Sequence, residues 1–189
     1  MTQPCGILVF GANGSGKTTL GRALACMLHV KHMDIEDYHF EASEVPYTVE
    51  RSRDDCRRLM LADIEKHCSF VLSAVTGDFG EEICSRYDLA ILLSAPLETR
   101  IERIERRAYE AHGARVQKGG DMYEGHQMFA AFARTRDLTK IERWAETLRC
   151  PLIRVDGTKD YRQTAAEIAA GFKNAPDEER ASFLGGHQA

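Results

Sequence analysis

Three observations predict an α/β fold for this 189-residue chain, a three-layer α/β/α sandwich around a parallel five-stranded sheet. Continuously apolar runs of strand length stand at 5–10 (CGILVF), 69–75 (SFVLSAV) and 89–95 (LAILLSA), the pattern of strands covered on both faces. Stretches with the 3.6-residue period of amphipathic helices alternate with them. A glycine-rich segment follows the first run directly and opens the first helical pattern.

The elements follow in chain order. The first strand stops at Gly11, and the helix after it carries Leu20, Leu24, Ala25 and Leu28 on one face. KHMD at 31–34 reads as a short second strand, and 50–67 as a charged helix with Cys56, Leu59, Met60 and Ile64 inward. LIRVD at 152–156 supplies the fifth strand, ahead of a last helix near 160–172. Residues 111–125 are glycine-rich and poor in apolar side chains, which predicts a long loop between two helices; such loops tend to be functional. After Asp137 the apolar stripe changes phase to Leu138, Ile141, Ala145 and Leu148, so a further helix starts there, with Trp144 in the core. The expected layout is one domain over 1–175, with an acceptor-binding region at 35–67, a mobile lid at 109–126 and a flexible tail at 176–189.

Composition narrows the function. Apolar residues make up 43% and charged residues 29%, which excludes a largely disordered chain. A net charge of −4 argues against a general nucleic-acid binder. No apolar run approaches the roughly 20 residues that span a bilayer, and the N-terminal segment lacks the pattern of a secretory leader. The six cysteines form no CxxC pair and the seven histidines show no ligand spacing, so a reduced cytoplasmic setting without a zinc site is expected.

The strongest signal is Gly11-Ala12-Asn13-Gly14-Ser15-Gly16-Lys17-Thr18, a complete GxxxxGK[ST] phosphate loop between a strand and a helix. Glycines let successive N–H groups curl toward phosphate oxygens, and the helix N-terminus adds partial positive charge. Lys17 would hold the β- and γ-phosphates, Thr18 would reach Mg²⁺, and Thr19 would touch the α-phosphate. ATP with magnesium is the ligand this pattern implies. No NKxD guanine reader, no LSGGQ sequence and no strand ending in DE is present, which argues against GTPases, transporter ATPases and common hydrolytic ATPases.

In element order and in several short motifs over roughly 5–170, the chain resembles the small phosphate-loop kinases of the adenylate kinase and shikimate kinase group. That resemblance implies a nucleoside- or nucleotide-kinase-like fold with a mobile lid. Asp34-Ile35-Glu36-Asp37, after the second strand, resembles the D-x-D element that positions magnesium and the accepting hydroxyl. It makes Asp34 a catalytic and metal-binding candidate and Asp37 a substrate contact; either carboxylate could lead, and either could instead cap the next helix. Thr76-Gly77-Asp78 resembles the glycine-bearing end of the third strand where backbone meets acceptor, so Gly77 and Asp78 are substrate candidates. Asp156-Gly157-Thr158 resembles the loop on the adenine side.

The arginines carry the rest. At about 100° per residue, Leu97, Ile101, Ile104 and Ala108 form one buried stripe; Glu98, Glu102 and Glu105 lie on one side of it, and Arg100, Arg103, Arg106 and Arg107 on the other. Only Glu102–Arg106 is expected to pair at i,i+4. A segregated arginine edge before a glycine-rich segment suits polyphosphate, and Arg103 and Arg107 match the R-x-x-x-R of the kinases. Arg115 and Lys118 are weaker candidates in the lid. Phe129, Phe132, Ala133 and Arg136 share a helical face; resemblance to the arginine-bearing helix after the lid makes Arg136 a catalytic candidate, with Arg134 second. Arg51 and Arg53 stand where nucleoside monophosphate kinases read the acceptor phosphate, hinting at an anionic acceptor, with Arg53 the substrate candidate. The expected activity is ATP- and Mg²⁺-dependent phosphoryl transfer to a small acceptor such as a nucleotide, a nucleoside or a hydroxylated metabolite. The alternative is a nucleotide-dependent regulatory ATPase without a small acceptor.

Overall fold

The computed structural model describes residues 5–174, and the tail expected beyond 175 lies outside them. Strands β1 (Gly6–Phe10), β2 (Lys31–Asp34), β3 (Phe70–Ala74), β4 (Leu89–Ser94) and β5 (Leu152–Asp156) form one sheet in the order β2-β3-β1-β4-β5. Every pairing is parallel, with Val9 opposite Ser73 on one side and Ile91 on the other. β1 therefore lies in the centre, and its C-terminal end faces the crevice where such sheets change winding direction and bind ligands.

Helices α1 (Lys17–Leu28), α2 (Ile35–His39), α3 (Arg53–His67), α4 (Glu81–Cys84), α5 (Leu97–His112), α6 (Tyr123–Thr135), α7 (Thr139–Ala145) and α8 (Tyr161–Asn174) connect the strands. Alternation along β1 separates two cores. Leu8 and Phe10 point to one face, where Met33, Leu72 and Ala90 meet Met60 and Ile64 of α3 and Ile141 of α7. Ile7 and Val9 point to the other, against Leu20 and Leu24 of α1 and Ala165 and Ile168 of α8. Trp144 stands edge-on to Phe10 at 5.2 Å, a core position as expected. A third cluster, Ile101, Ile104 and Ala133 with Phe129, joins α5 to α6.

Several boundaries differ from the sequence reading. The helix expected from residue 50 begins at Arg53, because the Ser52 hydroxyl caps it by accepting from the Asp55 N–H at 3.1 Å. The long loop expected at 111–125 is mostly regular: α5 runs to His112, a 3₁₀ turn spans Gly113–Val116, and α6 opens at Tyr123. Two bonds tighten the turn, the Arg115–Asp121 ion pair at 2.7 Å and the Met122 N–H donating to the Arg115 carbonyl at 2.9 Å. Leu97, assigned to the buried stripe, is exposed in the first turn of α5, whereas Ile101 and Ile104 are buried. The four- and five-residue helices α4 and α2 are too short to show a period.

Gly77, after β3, is a packing position. A Cβ there would stand 2.6 Å from Leu8 Cδ2 and 2.8 Å from Trp144, while its carbonyl accepts from the Tyr87 hydroxyl at 3.0 Å. Gly77→Ala should destabilise the fold by about 1–3 kcal/mol through overpacking; urea midpoints of the two proteins measure it, and an unchanged midpoint would contradict this packing.

Candidate active site

The phosphate loop is built on backbone that only glycine tolerates. Gly11 has φ 144° and a Cβ there would lie 2.2 Å from the Leu93 carbonyl; Gly14 has φ 78° and a Cβ there would lie 2.3 Å from the Arg100 carbonyl. The loop thus presses against β4 and α5. Gly16 ends it in a left-handed conformation, and α1 starts with no side-chain cap, leaving its first N–H groups for an anion.

Cations surround this loop without being neutralised. Lys17 Nζ donates to the Ala12 carbonyl at 2.9 Å. Arg103 donates to the carbonyls of Ser15 at 3.1 Å and Gly157 at 2.8 Å, tying the phosphate loop to the loop after β5. Arg100 is only 3% exposed, yet its guanidinium makes one long bond to the Asn13 carbonyl at 3.4 Å and its Nε has no partner. Arg136 donates to Asn13 Oδ1 at 2.9 Å and lies 5.1 Å from the Phe132 ring. Every one of these acceptors is uncharged. Among the described residues none of the ion pairs includes Lys17, Arg100, Arg103, Arg107 or Arg136.

Neighbouring arginines behave differently. Arg106 pairs with Glu110 at 3.8 Å, in place of the expected Glu102, and Arg134 pairs with Glu105 at 3.0 Å. Arg136, expected within a helical face, stands one residue past the end of α6. Burial opposes the charge of the unpaired groups. It pushes the Lys17 ammonium down to about 8, against the pull of Glu36, and lowers Arg100 and Arg136 as well. A buried charge with no counter-ion is costly, so the arrangement is that of a receptor for anions.

A cleft of about 370 Å³ runs along the loop, lined by Gly14 to Thr19, Arg103, Arg107, Asp156, Gly157 and Tyr161. Asp156 is exposed and turns its carboxylate onto its own loop, accepting from the Thr158 N–H at 2.8 Å and its hydroxyl at 2.7 Å. Gly157 donates its N–H to the Ser94 carbonyl at 2.6 Å. The expected candidates Gly14, Ser15, Gly16, Lys17, Thr18, Thr19, Arg103, Arg107, Asp156 and Gly157 thus share one cleft.

The carboxylate side differs from the sequence reading. Asp34 is buried at the end of β2 and caps α2, its Oδ1 accepting from the Glu36 N–H at 3.3 Å. Glu36, not singled out in the sequence, is the nearest in influence of the carboxylates acting on Lys17, ahead of Asp34. Burial, then repulsion from Asp34, raises its carboxyl above the usual range. Asp37 is exposed, and the structure does not bring it to Lys17. One signal could have found Glu36: counted from Asp34, it holds the second position of a D-x-D spacing.

Other candidates stand apart. Arg51 spends its Nη1 on the carbonyls of Asp37, Tyr38 and Phe40 and so fixes a loop. Arg53 and Asp78 are exposed, and neither lines the cleft. Arg115 is paired with Asp121, Lys118 is exposed, and neither lines the cleft.

A central parallel strand, a glycine cradle and uncompensated cations at a helix start define a phosphate-loop nucleotide-binding protein with the fold of the small kinases. The chain belongs to the AAA domain family, whose model matches residues 7–127. It is 28% identical over 158 residues to the uncharacterized protein YqaC of Bacillus subtilis (strain 168), covering 79% of this chain and 87% of that protein. Similar solved structures include a provisionally assigned kinase of Chloroflexus aurantiacus j-10-fl (TM-score 0.53, 20% identity, 92% of this chain and 98% of that one). Shikimate kinase from Acinetobacter baumannii in complex with shikimate follows (0.51, 21%, 87% and 90%), as does a sugar kinase from Janibacter sp. HTCC2649 (0.51, 16%, 91% and 96%). At these identities the likeness is one of fold.

The depressed Lys17 gives a pH test. At pH 8.5 the ammonium is largely neutral, and binding of inorganic triphosphate restores its charge, so binding should take up a proton. At pH 7 Lys17 is already charged, and its uptake should vanish. Calorimetry in buffers of different ionisation enthalpy measures this, and uptake that persists in Lys17→Met would exclude Lys17 as its source.

Proposed function

We propose that the protein is a kinase that transfers the γ-phosphoryl group of Mg-ATP to a hydroxyl of a small molecule. One observation carries this reading: both kinds of charge act on the phosphate-loop lysine Lys17, the guanidinium groups of Arg107 and Arg136 and the carboxylates of Glu36 and Asp34. Hydrolysis needs only a phosphate site and water. A carboxylate pair that acts on the phosphate lysine suits an acceptor hydroxyl that must be oriented and relieved of its proton.

In the proposed reaction the acceptor oxygen forms a new bond to the γ-phosphorus while the bond from that phosphorus to the β–γ bridging oxygen breaks. ADP leaves with the electron pair. The acceptor proton passes to Glu36, whose raised carboxyl keeps more basic character than an ordinary glutamate, with Asp34 holding the backbone that carries it. Lys17, Arg107 and Arg136 would bear the charge spread over the transferring oxygens, and the N–H groups of Gly14 to Thr18 would cradle the β-phosphate. Arg103, Asp156 and Gly157 would bound the base side of the cleft.

The residues present suit magnesium. Thr18 offers a hydroxyl in the first turn of α1 and Asp34 a carboxylate at the end of β2, and magnesium takes its remaining ligands from water and phosphate. Thr18 and Asp34 would hold it, and it would supply neutralisation of phosphate charge. Among the described residues no helix is long and apolar enough to cross a membrane.

Lys17→Ala should abolish ADP formation with the fold intact, and wild-type turnover in it would sink the site. Glu36→Gln should lower acceptor-dependent turnover about 10²- to 10⁴-fold, the range of general-base loss, with MgATP affinity within a few-fold of wild type. A rate unchanged by Glu36→Gln would remove the proposed base. ATP turnover unaffected by any acceptor would favour the regulatory ATPase instead.

A further inference from the structure

The phosphate machinery gives no reason for the conformation of Tyr47. Its φ of 64° lies in the left-handed region, which a bulky side chain occupies only at a cost. Burial does not offset that cost, because the residue is 58% exposed. An ordered outlier of this kind is grounds for a functional hypothesis.

The surrounding strap is built to hold Tyr47 in place. Phe40 and Glu50 form an antiparallel bridge, and the Glu41 N–H donates to the Val49 carbonyl at 2.8 Å. Inside the strap, the Ser43 and Thr48 hydroxyls both donate to the Val45 carbonyl, at 2.6 and 2.7 Å. Arg51 fastens the foot of the strap to α2 through the carbonyls of Asp37, Tyr38 and Phe40. The Tyr47 ring stands edge-on to Phe40 at 5.4 Å, and Phe40 stands edge-on to His39 at 4.7 Å. His39 ends α2, the helix that carries Glu36 and is capped by Asp34, so this ring stack ties the strap tip to the groups assigned above to the acceptor, and Glu36, Arg107, Asp34 and Asp37 are the charged groups that act on the phenol.

The charges on this side favour one acceptor chemistry. Of the cations of the strap and the first turns of α3, Arg51 pairs with Glu41 at 3.9 Å, Arg57 with Glu82 at 3.3 Å and Arg58 with Asp55 at 3.0 Å, while Arg53 stands exposed at the start of α3 and is not among the charges that act most on Tyr47. Asp34 and Glu36 enter no ion pair among the described residues. A phosphate or carboxylate on the acceptor would meet like charge there, whereas hydroxyl groups would donate to the carboxylates and a ring could lie against Tyr47. We propose that Tyr47 is a specificity-determining residue of the acceptor subsite, and that the acceptor is an uncharged, hydroxyl-rich ring compound, a sugar or a nucleoside. This rests on the kinase reading above.

The test measures ADP formation from Mg-ATP by the full chain with neutral sugars, nucleosides, nucleoside monophosphates and hydroxy acids, with Lys17→Ala as control. A neutral sugar or a nucleoside should accelerate ADP formation at least tenfold, the two panels separating the sources, while monophosphates and hydroxy acids should not. Tyr47→Gly relieves the backbone and should raise the melting temperature; it should also raise acceptor KM at least tenfold and leave MgATP KM within twofold. A merely structural Tyr47 would not separate those readouts. Tyr47→Phe tells ring from hydroxyl: wild-type KM assigns recognition to the ring, and a KM near that of Tyr47→Gly assigns it to the phenol. Acceleration by a monophosphate or hydroxy acid, or an acceptor KM unchanged by Tyr47→Gly, would overturn the inference and leave the kinase reading standing. A panel flat throughout, with triphosphate binding intact, would overturn the kinase reading and this inference with it.

Discussion

Positive charge kept free of carboxylates is the constraint on which this site depends. A guanidinium bonded to a carbonyl is held in place with its charge uncompensated, while one bonded to a carboxylate has that charge offset. Arg103 on the Ser15 and Gly157 carbonyls, Arg100 on Asn13 and Lys17 on Ala12 all follow the first pattern. The chain as a whole carries a net charge of −4, so this field is local and comes from placement. The sheet order makes it possible. With β1 in the centre, the loop that follows it is reached by α5 after β4 and by the loop after β5, and both deliver groups to one crevice.

The legible parts of the fold were those fixed by neighbours in sequence. The phosphate loop could be read because its glycines, lysine and threonine act within eight residues, and the buried strands because they are continuously apolar. The segregated arginine edge of α5 also survives, since helical geometry fixes which side chains share a side. Its division of labour does not, because Arg103 reaches the carbonyls of Ser15 and Gly157, distant in sequence, while Arg106 turns to Glu110.

What escaped the sequence depends on distant or weak partners. Arg51 looked like an anion reader, but it pairs with Glu41 and donates to carbonyls 11 to 14 residues earlier, which no periodicity reveals. Glu36 was hidden between two aspartates, and only the turn into α2 separates its role from that of Asp37. The segment at 111–125 has the composition of a loop, yet an ion pair and a backbone hydrogen bond close it around a 3₁₀ turn. Tyr47 left no mark in the pattern, since a left-handed residue other than glycine is decided by the closure around it.

The strap at 41–50 is fastened at its ends and free at its tip. Its feet are held by backbone pairing and by Arg51, a residue outside it, and none of its side chains belongs to the buried cores. Substitutions at the tip therefore leave the sheet and the phosphate loop untouched. Under the proposed reading, a lineage carrying this scaffold could drift from one acceptor to another by rewriting a handful of codons, the phosphate loop being inherited intact.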